Sequence, residues 1–204
     1  MTIKDDSQTS TTQDSNYTNR LVEKQVIWWK RLLDVQAPYR WNMQRLEPGL
    51  TLEIGCGIGR NLINLKGNGI GIDHNLYSVQ VARKRGLIAF TIEEFQNSYF
   101  NKPQQFDSLL LSHVAEHMTQ KEVVDLLTKY VDLLKPKGKL IVITPQEAGY
   151  KSDSTHVEFM NFIKLRNIVK QLKFNILQEY SFPFPRFLGI FFIYNEFVSV
   201  SRKL

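Results

Sequence analysis

Thr51-Leu52-Glu53-Ile54-Gly55-Cys56-Gly57-Ile58-Gly59-Arg60-Asn61-Leu62 is the stretch from which the rest of the chain can be ordered. Leu50, Leu52 and Ile54 alternate with Thr51 and Glu53, the period of a strand. Three glycines follow at every second position, and Leu62, Ile63 and Leu65 then resume with helical spacing. A strand that turns through glycines into a helix start makes a ligand cradle. Without Cβ atoms a ligand can approach the backbone closely, and φ > 0 is adopted at little cost. The helix start adds unpaired N–H groups and a partial positive charge.

Two familiar phosphate-binding patterns do not fit this turn. A dinucleotide fold requires G-x-G-x-x-G. Counted from Gly55 and Gly57 the third place holds Arg60, and from Gly57 and Gly59 it holds Leu62. No Gly-Lys-Ser/Thr follows, so the P-loop fails as well. What stands here is acid-x-Gly-x-Gly-x-Gly, which resembles the first motif of the class I S-adenosylmethionine-dependent methyltransferases. In that family the glycine loop lies against the methionine part of the cofactor. The next apolar run, Gly69-Ile70-Gly71-Ile72-Asp73, ends in an acid 18 positions after Gly55. An acid at the tip of a second strand can accept both ribose hydroxyls.

The alternation continues. Asn75 is an N-cap candidate, Leu76, Val79, Val81 and Ala82 form an apolar helix face, and Gly86 stops it. Leu87 to Thr91 reads as a third strand, Phe106 to Leu111 as a buried fourth. Thr119-x-x-Glu122 is a capping box, with Val123, Val124, Leu126, Leu127, Val131 and Leu134 behind it and Pro136 closing the helix. Lys139 to Thr144 is a fifth strand. Thr155-x-x-Glu158 reads as a second capping box, opening a helix to Leu172. Phe174 to Ser181 and Asn195 to Ser201 are the last strands, joined across Phe182-Pro183-Phe184-Pro185-Arg186 as an antiparallel hairpin. Leu-Lys-Pro-Lys-Gly-Lys-Leu (134–140) strengthens the resemblance. The resemblance implies an α/β, Rossmann-like three-layer sandwich whose seven-stranded, mostly parallel sheet has the order 3-2-1-4-5-7-6, with strand 7 antiparallel.

The organisation expected is a polar tail over 1–19, a helical cap over 20–48 and the methyltransferase domain over 49–204. Residues 1–19 are too poor in apolar groups to order themselves. Leu21, Val22, Val26, Ile27, Trp29, Leu32 and Leu33 have helical spacing, and Pro38 ends that helix. A second short helix carries Tyr39, Trp41, Met43 and Leu46. The formal charge is +6, and the tail is itself acidic, so the body suits an anionic partner. No basic motif interleaved with aromatics supports nucleic acid. The Asn/Asp-Pro-Pro-aromatic motif of base-amino methyltransferases and the Pro-Cys dipeptide of cytosine C5 chemistry are both missing from the sequence. The single cysteine, Cys56, fits a reducing compartment. With no apolar leader and no run of 18 apolar residues, the expectation is a cytoplasmic chain without a membrane span.

By the resemblance, the cofactor-binding positions are Arg40, Glu53, Gly55, Cys56, Gly57, Gly59, Asp73, His74, Ile92, Glu93, Ser112 and His113. Several have a plain structural alternative. Tyr39 and Arg40 either reach the methionine carboxylate or belong to a cap that simply packs. Ile92 and Glu93 either border the adenine or form a solvated first helical turn. Ser112-His113-Val114-Ala115-Glu116-His117-Met118 resembles the post-strand segment of the branch that methylates quinone precursors and other small molecules. Glu116 and His117 face substrate or begin a helix. His156, at N1 behind Thr155, would feel the helix dipole, stay neutral and serve as general base; otherwise it packs within the cap. His113 and His117 are spaced i, i+4, but no third ligand stands out and no metal is expected. The aromatics of 182–187 with Tyr150 either wall an apolar pocket or pack, and Arg186 is placed to meet an anionic substrate group. The reading is a methyltransferase acting on an oxygen or nitrogen of a small-molecule acceptor. An RNA or protein methyltransferase, or a cofactor-binding subunit without catalysis, are the alternatives.

Overall fold

The computed structural model describes residue 34 and residues 36–204. The polar tail and the helix expected over 21–33 lie outside the described residues. In chain order the elements are α1 (Ala37–Arg45), β1 (Thr51–Ile54), α2 (Arg60–Asn64), β2 (Gly69–Asp73), α3 (Leu76–Lys84), β3 (Ile88–Thr91), α4 (Ile92–Gln96), β4 (Phe106–Ser112), α5 (Gln120–Thr128), β5 (Leu134–Pro145), α6 (Glu147–Lys151), α7 (Phe162–Gln171), β6 (Phe174–Phe182) and β7 (Glu196–Lys203). Short 3-10 turns cover Ala115–His117, Val131–Leu133 and Arg186–Ile190.

The strands form one sheet of order β3-β2-β1-β4-β5-β7-β6. All pairs among β1 to β5 are parallel, and β7 runs antiparallel to both neighbours. β1 is buried at every position and β4 at all but Asp107, because both faces of the sheet are covered. Leu52, Ile54, Leu109, Leu111, Leu140 and Val142 meet Val123 and Leu127 of α5 and Leu165, Ile168 and Val169 of α7 on one side. Leu110, Ile141, Ile143, Val198 and Val200 meet Met43 of α1, Leu62 of α2 and Val79 and Ala82 of α3 on the other. Consecutive residues of one strand thus feed opposite cores, as a period of two requires. At Gly71 a Cβ would sit 2.6 Å from Cys56 Sγ and 2.7 Å from Leu62 Cδ1, so the glycine lets α2 and its preceding turn press onto β2.

Local chemistry explains where the sequence expectations and the structure part. Pro38 stands at the start of the second short helix, α1, and the helix it was expected to end lies outside the described residues. In that first turn its missing N–H has no partner to lose. Asn75 caps α3 as expected, accepting from Tyr77 N and Ser78 N. Leu76 and Ile63 face solvent, at 52% and 51% exposure, rather than the core. Pro136 does not close a helix. α5 ends at Thr128, and Lys135 to Gly138 bulge out of β5, where the pairing jumps from Phe106↔Leu134 to Ser108↔Lys139. The capping box expected at Thr155 is not one. α7 starts at Phe162, capped by Asn161, whose side chain accepts from Lys164 N. Glu158 Oε2 is instead taken by Gln120 N, and its Oε1 by Lys164 Nζ. An unforeseen capping box, Thr91 with Glu94, opens α4. Among the described residues no helix is long and apolar enough to cross a membrane.

Candidate cofactor cradle and the histidine edge

In a parallel sheet the ligand-facing end is the carboxyl end of the strands. Ile54 pairs with Ile72 and Leu111, and Asp73 with Thr91, so the loops after β1, β2, β3 and β4 leave the sheet side by side. The cofactor positions from Glu53 to His113 therefore lie along one edge.

The turn after β1 is held by Gly55 N and Cys56 N, which both donate to Ile72 O. Gly57 has φ +51, and a Cβ there would meet nothing within 4 Å. Its N–H donates to Asp73 Oδ2 at 2.7 Å. Asp73 Oδ1 accepts from Asn75 N at 2.8 Å. Each carboxylate oxygen keeps a further lone pair for a ligand hydroxyl. His74 stands beside it, Nδ1 to Asp73 Oδ1 at 3.6 Å.

Glu53 is 2% exposed. Oε1 accepts from Asn61 Nδ2 at 2.7 Å, whereas Oε2 meets no hydrogen-bond partner. Burial raises its pKa to about 8; the Asn61 bond, Arg60 and His113 work against that rise, and Asp73 works with it. A buried carboxyl with one unanswered oxygen, beside a glycine turn open at Gly57, fits a ligand that brings a cationic donor. The α-ammonium of S-adenosylmethionine is such a group. Asn61 and Arg60, which anchor and influence Glu53, carried no signal in the sequence beyond their place after the third glycine.

The edge continues at His113, a non-glycine residue with φ +56. Its N–H donates to Ile143 O, its Nε2 lies 2.8 Å from Glu196 Oε1, and its Nδ1 lies 3.3 Å from Glu116 Oε1. Backbone strain of this kind is kept where surrounding contacts over-determine it. Crowding by surrounding atoms opposes charge on the imidazole, but its side chain is 42% exposed, and the carboxylates of Glu116 and Glu196 prevail and raise its pKa to about 10. Glu196 was not singled out in the sequence; it is the first residue of β7, ahead of the apolar pair Phe197 and Val198. Val114 seals the back of the turn, since a Cβ on Gly55 would lie 2.4 Å from its Cγ2.

His156 is on a loop and not at a helix N1, so no dipole acts on it. Its Nδ1 is 2.6 Å from Tyr150 O, its ring stacks on Tyr150 at 5.3 Å, and His117 meets it edge-on at 4.9 Å. The i, i+4 pair His113 and His117 is not the grouping the fold makes. Glu116, His117 and His156 come together instead, with one ligand atom from each within 4.8 Å of the others. Glu116 and His117 lie in a 3-10 turn.

The remaining sequence-derived positions are spread more widely. Ser112 is buried at the end of β4, and Cys56 is buried in the turn, where desolvation pushes its thiol up. Ile92 and Glu93 stand in the first turn of α4, half-buried and exposed respectively. Arg40 is engaged by Asp34 at 2.5 Å. The Tyr39 hydroxyl donates to Tyr194 O at 2.8 Å and its ring packs edge-on against Phe182. Arg186 pairs with Glu147 and spans the Phe197 ring. The 183–195 crossing is tied to the sheet by the buried amides of Gln146 and Asn195. Gln146 Nε2 donates to Ser181 Oγ and Glu196 O, and Asn195 Nδ2 donates to Gln146 Oε1.

Comparison with known proteins agrees with this architecture. Residues 52–142 match the family model described as a methyltransferase domain. An uncharacterised methyltransferase of Bacillus cytotoxicus is 29% identical over 114 residues, 52% of this chain and 54% of that protein. The match thus spans about half the length of that curated relative. A SAM-dependent methyltransferase from Archaeoglobus fulgidus superposes with TM-score 0.62 at 17% identity, over 87% of this chain and 98% of its own. The methyltransferase in a Haloferax volcanii complex with the Trm112 methyltransferase activator gives 0.65 at 12% identity, over 94% and 95%. A SAM-dependent methyltransferase from Methanosarcina mazei gives 0.58 at 18%, over 76% and 92%. At these identities the superpositions speak to fold. Taken together, residues 52–142 match a methyltransferase domain, and the sheet order β3-β2-β1-β4-β5-β7-β6 with its flanking helices is the Rossmann-like fold of the superposed methyltransferases.

Proposed function

We propose that this chain is an S-adenosylmethionine-dependent methyltransferase whose acceptor is an oxygen or nitrogen of a small molecule. The observation that carries the reading is the unanswered Glu53 Oε2 beside the open face of Gly57, with Asp73 at the neighbouring strand tip. When bound, the cofactor supplies a methyl group that is already electrophilic. The protein's work is then to bind, orient and exclude water.

Glu53 would hold the α-ammonium, and the Gly55 to Gly59 backbone would lie along the methionine chain. Asp73 would take the ribose hydroxyls from oxygens already aligned by Gly57 N and Asn75 N. Ile92 and Glu93 would border the adenine, with Ser112 and His113 closing the side toward β5. Protonated His113 is balanced by Glu116 and Glu196. Asp73, Glu116 and Glu196 outnumber the cations His113 and Arg60 along this edge, which suits a positively charged ligand. A hydroxyl acceptor must also lose a proton. His156 donates from Nδ1 to Tyr150 O, which leaves Nε2 as the accepting nitrogen.

Calorimetric titration with S-adenosylmethionine tests the reading. Saturable one-to-one binding is expected, with Asp73→Ala weakening it about 10- to 100-fold, the worth of charge-assisted hydrogen bonds. No saturable binding, or equal binding by the variant, overturns it. A macromolecular acceptor is the second reading, favoured by the exposed apolar run Phe184, Phe187, Ile190 and Phe191. Methyl transfer to RNA or protein, but not to small hydroxyl and amine acceptors, would select it.

A further inference from the structure

Glu116 is 1% exposed, yet its Oε2 has no hydrogen-bond partner, and its Oε1 has only the ion-pair approach of His113 Nδ1 at 3.3 Å. A buried carboxylate oxygen with no donor carries the full cost of its lost hydration. Something in the working protein should answer it.

Its neighbours are prepared in a particular way. The 153–158 loop is stapled to the 3-10 turn by the Glu116 carbonyl, which accepts from both Val157 N and Glu158 N. That staple brings His156 beside His117. His117 Nδ1 lies 3.1 Å from Thr155 O, and His156 Nδ1 lies 2.6 Å from Tyr150 O. Each ring therefore donates its Nδ1 proton to a backbone carbonyl and keeps its Nε2 lone pair. Imidazoles that bind metals are held in just this manner, because the outer bond fixes the tautomer and raises the basicity of the other nitrogen. Two such rings converge with the orphaned carboxylate, one ligand atom from each within 4.8 Å of the others. Sub-ångström side-chain shifts close a triangle of that size onto a cation at about 2.0–2.2 Å.

We propose that Glu116, His117 and His156 form a binding site for a divalent first-row transition cation. Two imidazoles with one carboxylate select Fe2+, Co2+, Mn2+ or Zn2+ over Mg2+ or Ca2+, which want an all-oxygen shell. Three protein ligands leave coordination positions for water or for an oxygen of a ligand. The site adjoins the cradle: Val114 packs on Gly55, and His113 touches both Glu116 and Glu196. Carrying the cation, His156 is a ligand and no longer a base, so acceptor activation passes to the metal position. The site's existence does not depend on which acceptor the enzyme uses.

The test needs no turnover. The full chain, freed of metal by a chelator and dialysed, is titrated with cobalt(II) chloride alone while the visible absorption is followed, and with manganese(II) chloride in a calorimeter. One equivalent of Co2+ is expected to give the intense absorption of a low-coordinate nitrogen-oxygen site. Glu116→Gln, His117→Gln and His156→Gln should each weaken binding by at least the roughly 10–100-fold that outer-shell changes alone cost. His156 lies on a loop, so its variant keeps the test informative if a change at buried Glu116 disturbs folding. Calorimetry with S-adenosylmethionine runs beside it as the control. Cobalt binding without cofactor binding sinks the methyltransferase reading and leaves the metal site standing. Cobalt that keeps its hexaaqua spectrum, or binds the wild type and His156→Gln alike, overturns the site.

Discussion

Glu53 has one oxygen bonded to Asn61 and one bonded to nothing, and burial has moved its pKa from 4.5 to about 8. The folded chain therefore holds this proton more tightly than the unfolded chain. The stability it confers is complete below about pH 4.5 and is lost as pH rises through about 8. Glu53→Gln keeps the neutral shape, so its melting temperature should fall less than the wild type's across that window in parallel thermal scans. Cofactor affinity should move oppositely in the wild type, strengthening as Glu53 ionises, and this pH dependence should vanish in Glu53→Gln. The glycines separate packing from binding. Gly57→Ala places a methyl in open space and adds only about 1–2 kcal/mol of left-handed strain. It should lower cofactor affinity about tenfold or more with a modest change in melting temperature. Gly55→Ala adds a clash with Val114 to similar strain. Its melting temperature should drop further than that of Gly57→Ala. The positions of these glycines, Glu53 and Asp73 were readable because their chemistry is local to one turn and one strand tip. Arg60 was counted in the sequence only as a missing glycine, because nothing in a motif says which side chain will reach a buried acid.

At the scale of elements, caps decide where helices begin. Asn75 Oδ1 takes two backbone N–H groups at the start of α3. Asn75→Ala should cost about 1 kcal/mol, read as a melting temperature lower by about 2–4 °C. The same logic misled at Thr155 and Glu158. Both carry cap chemistry, but both are spent on tertiary partners: Thr155 on His117 and Asp153, Glu158 on Gln120 and Lys164. Asn161 then caps the helix six residues later than Thr155 would. Pro38 shows the other use of a helix breaker, at the start of α1. A residue that breaks a helix interior is welcome in a first turn, and apolar periodicity alone does not say which turn it occupies.

At the scale of the molecule, strand alternation and an antiparallel final hairpin were legible, since each parallel crossover needs a helix that leaves its own periodicity in the sequence. The meeting of Glu116 and His117 with His156 was not legible. It depends on a loop some forty residues away being stapled by backbone bonds to a single carbonyl, and no side-chain pattern encodes that. The placement of Glu196 depends likewise on β7 running backwards, which starts that strand at the ligand edge. Cys56, the chain's single cysteine, lies buried in the cradle turn with Sγ turned toward β2. Its suppressed acidity makes it a built-in timekeeper. Alkylation by iodoacetamide should proceed only as fast as the turn breathes open. Saturating S-adenosylmethionine should lengthen the half-life of the free thiol, and an unchanged rate would mean that the ligand does not clamp this turn.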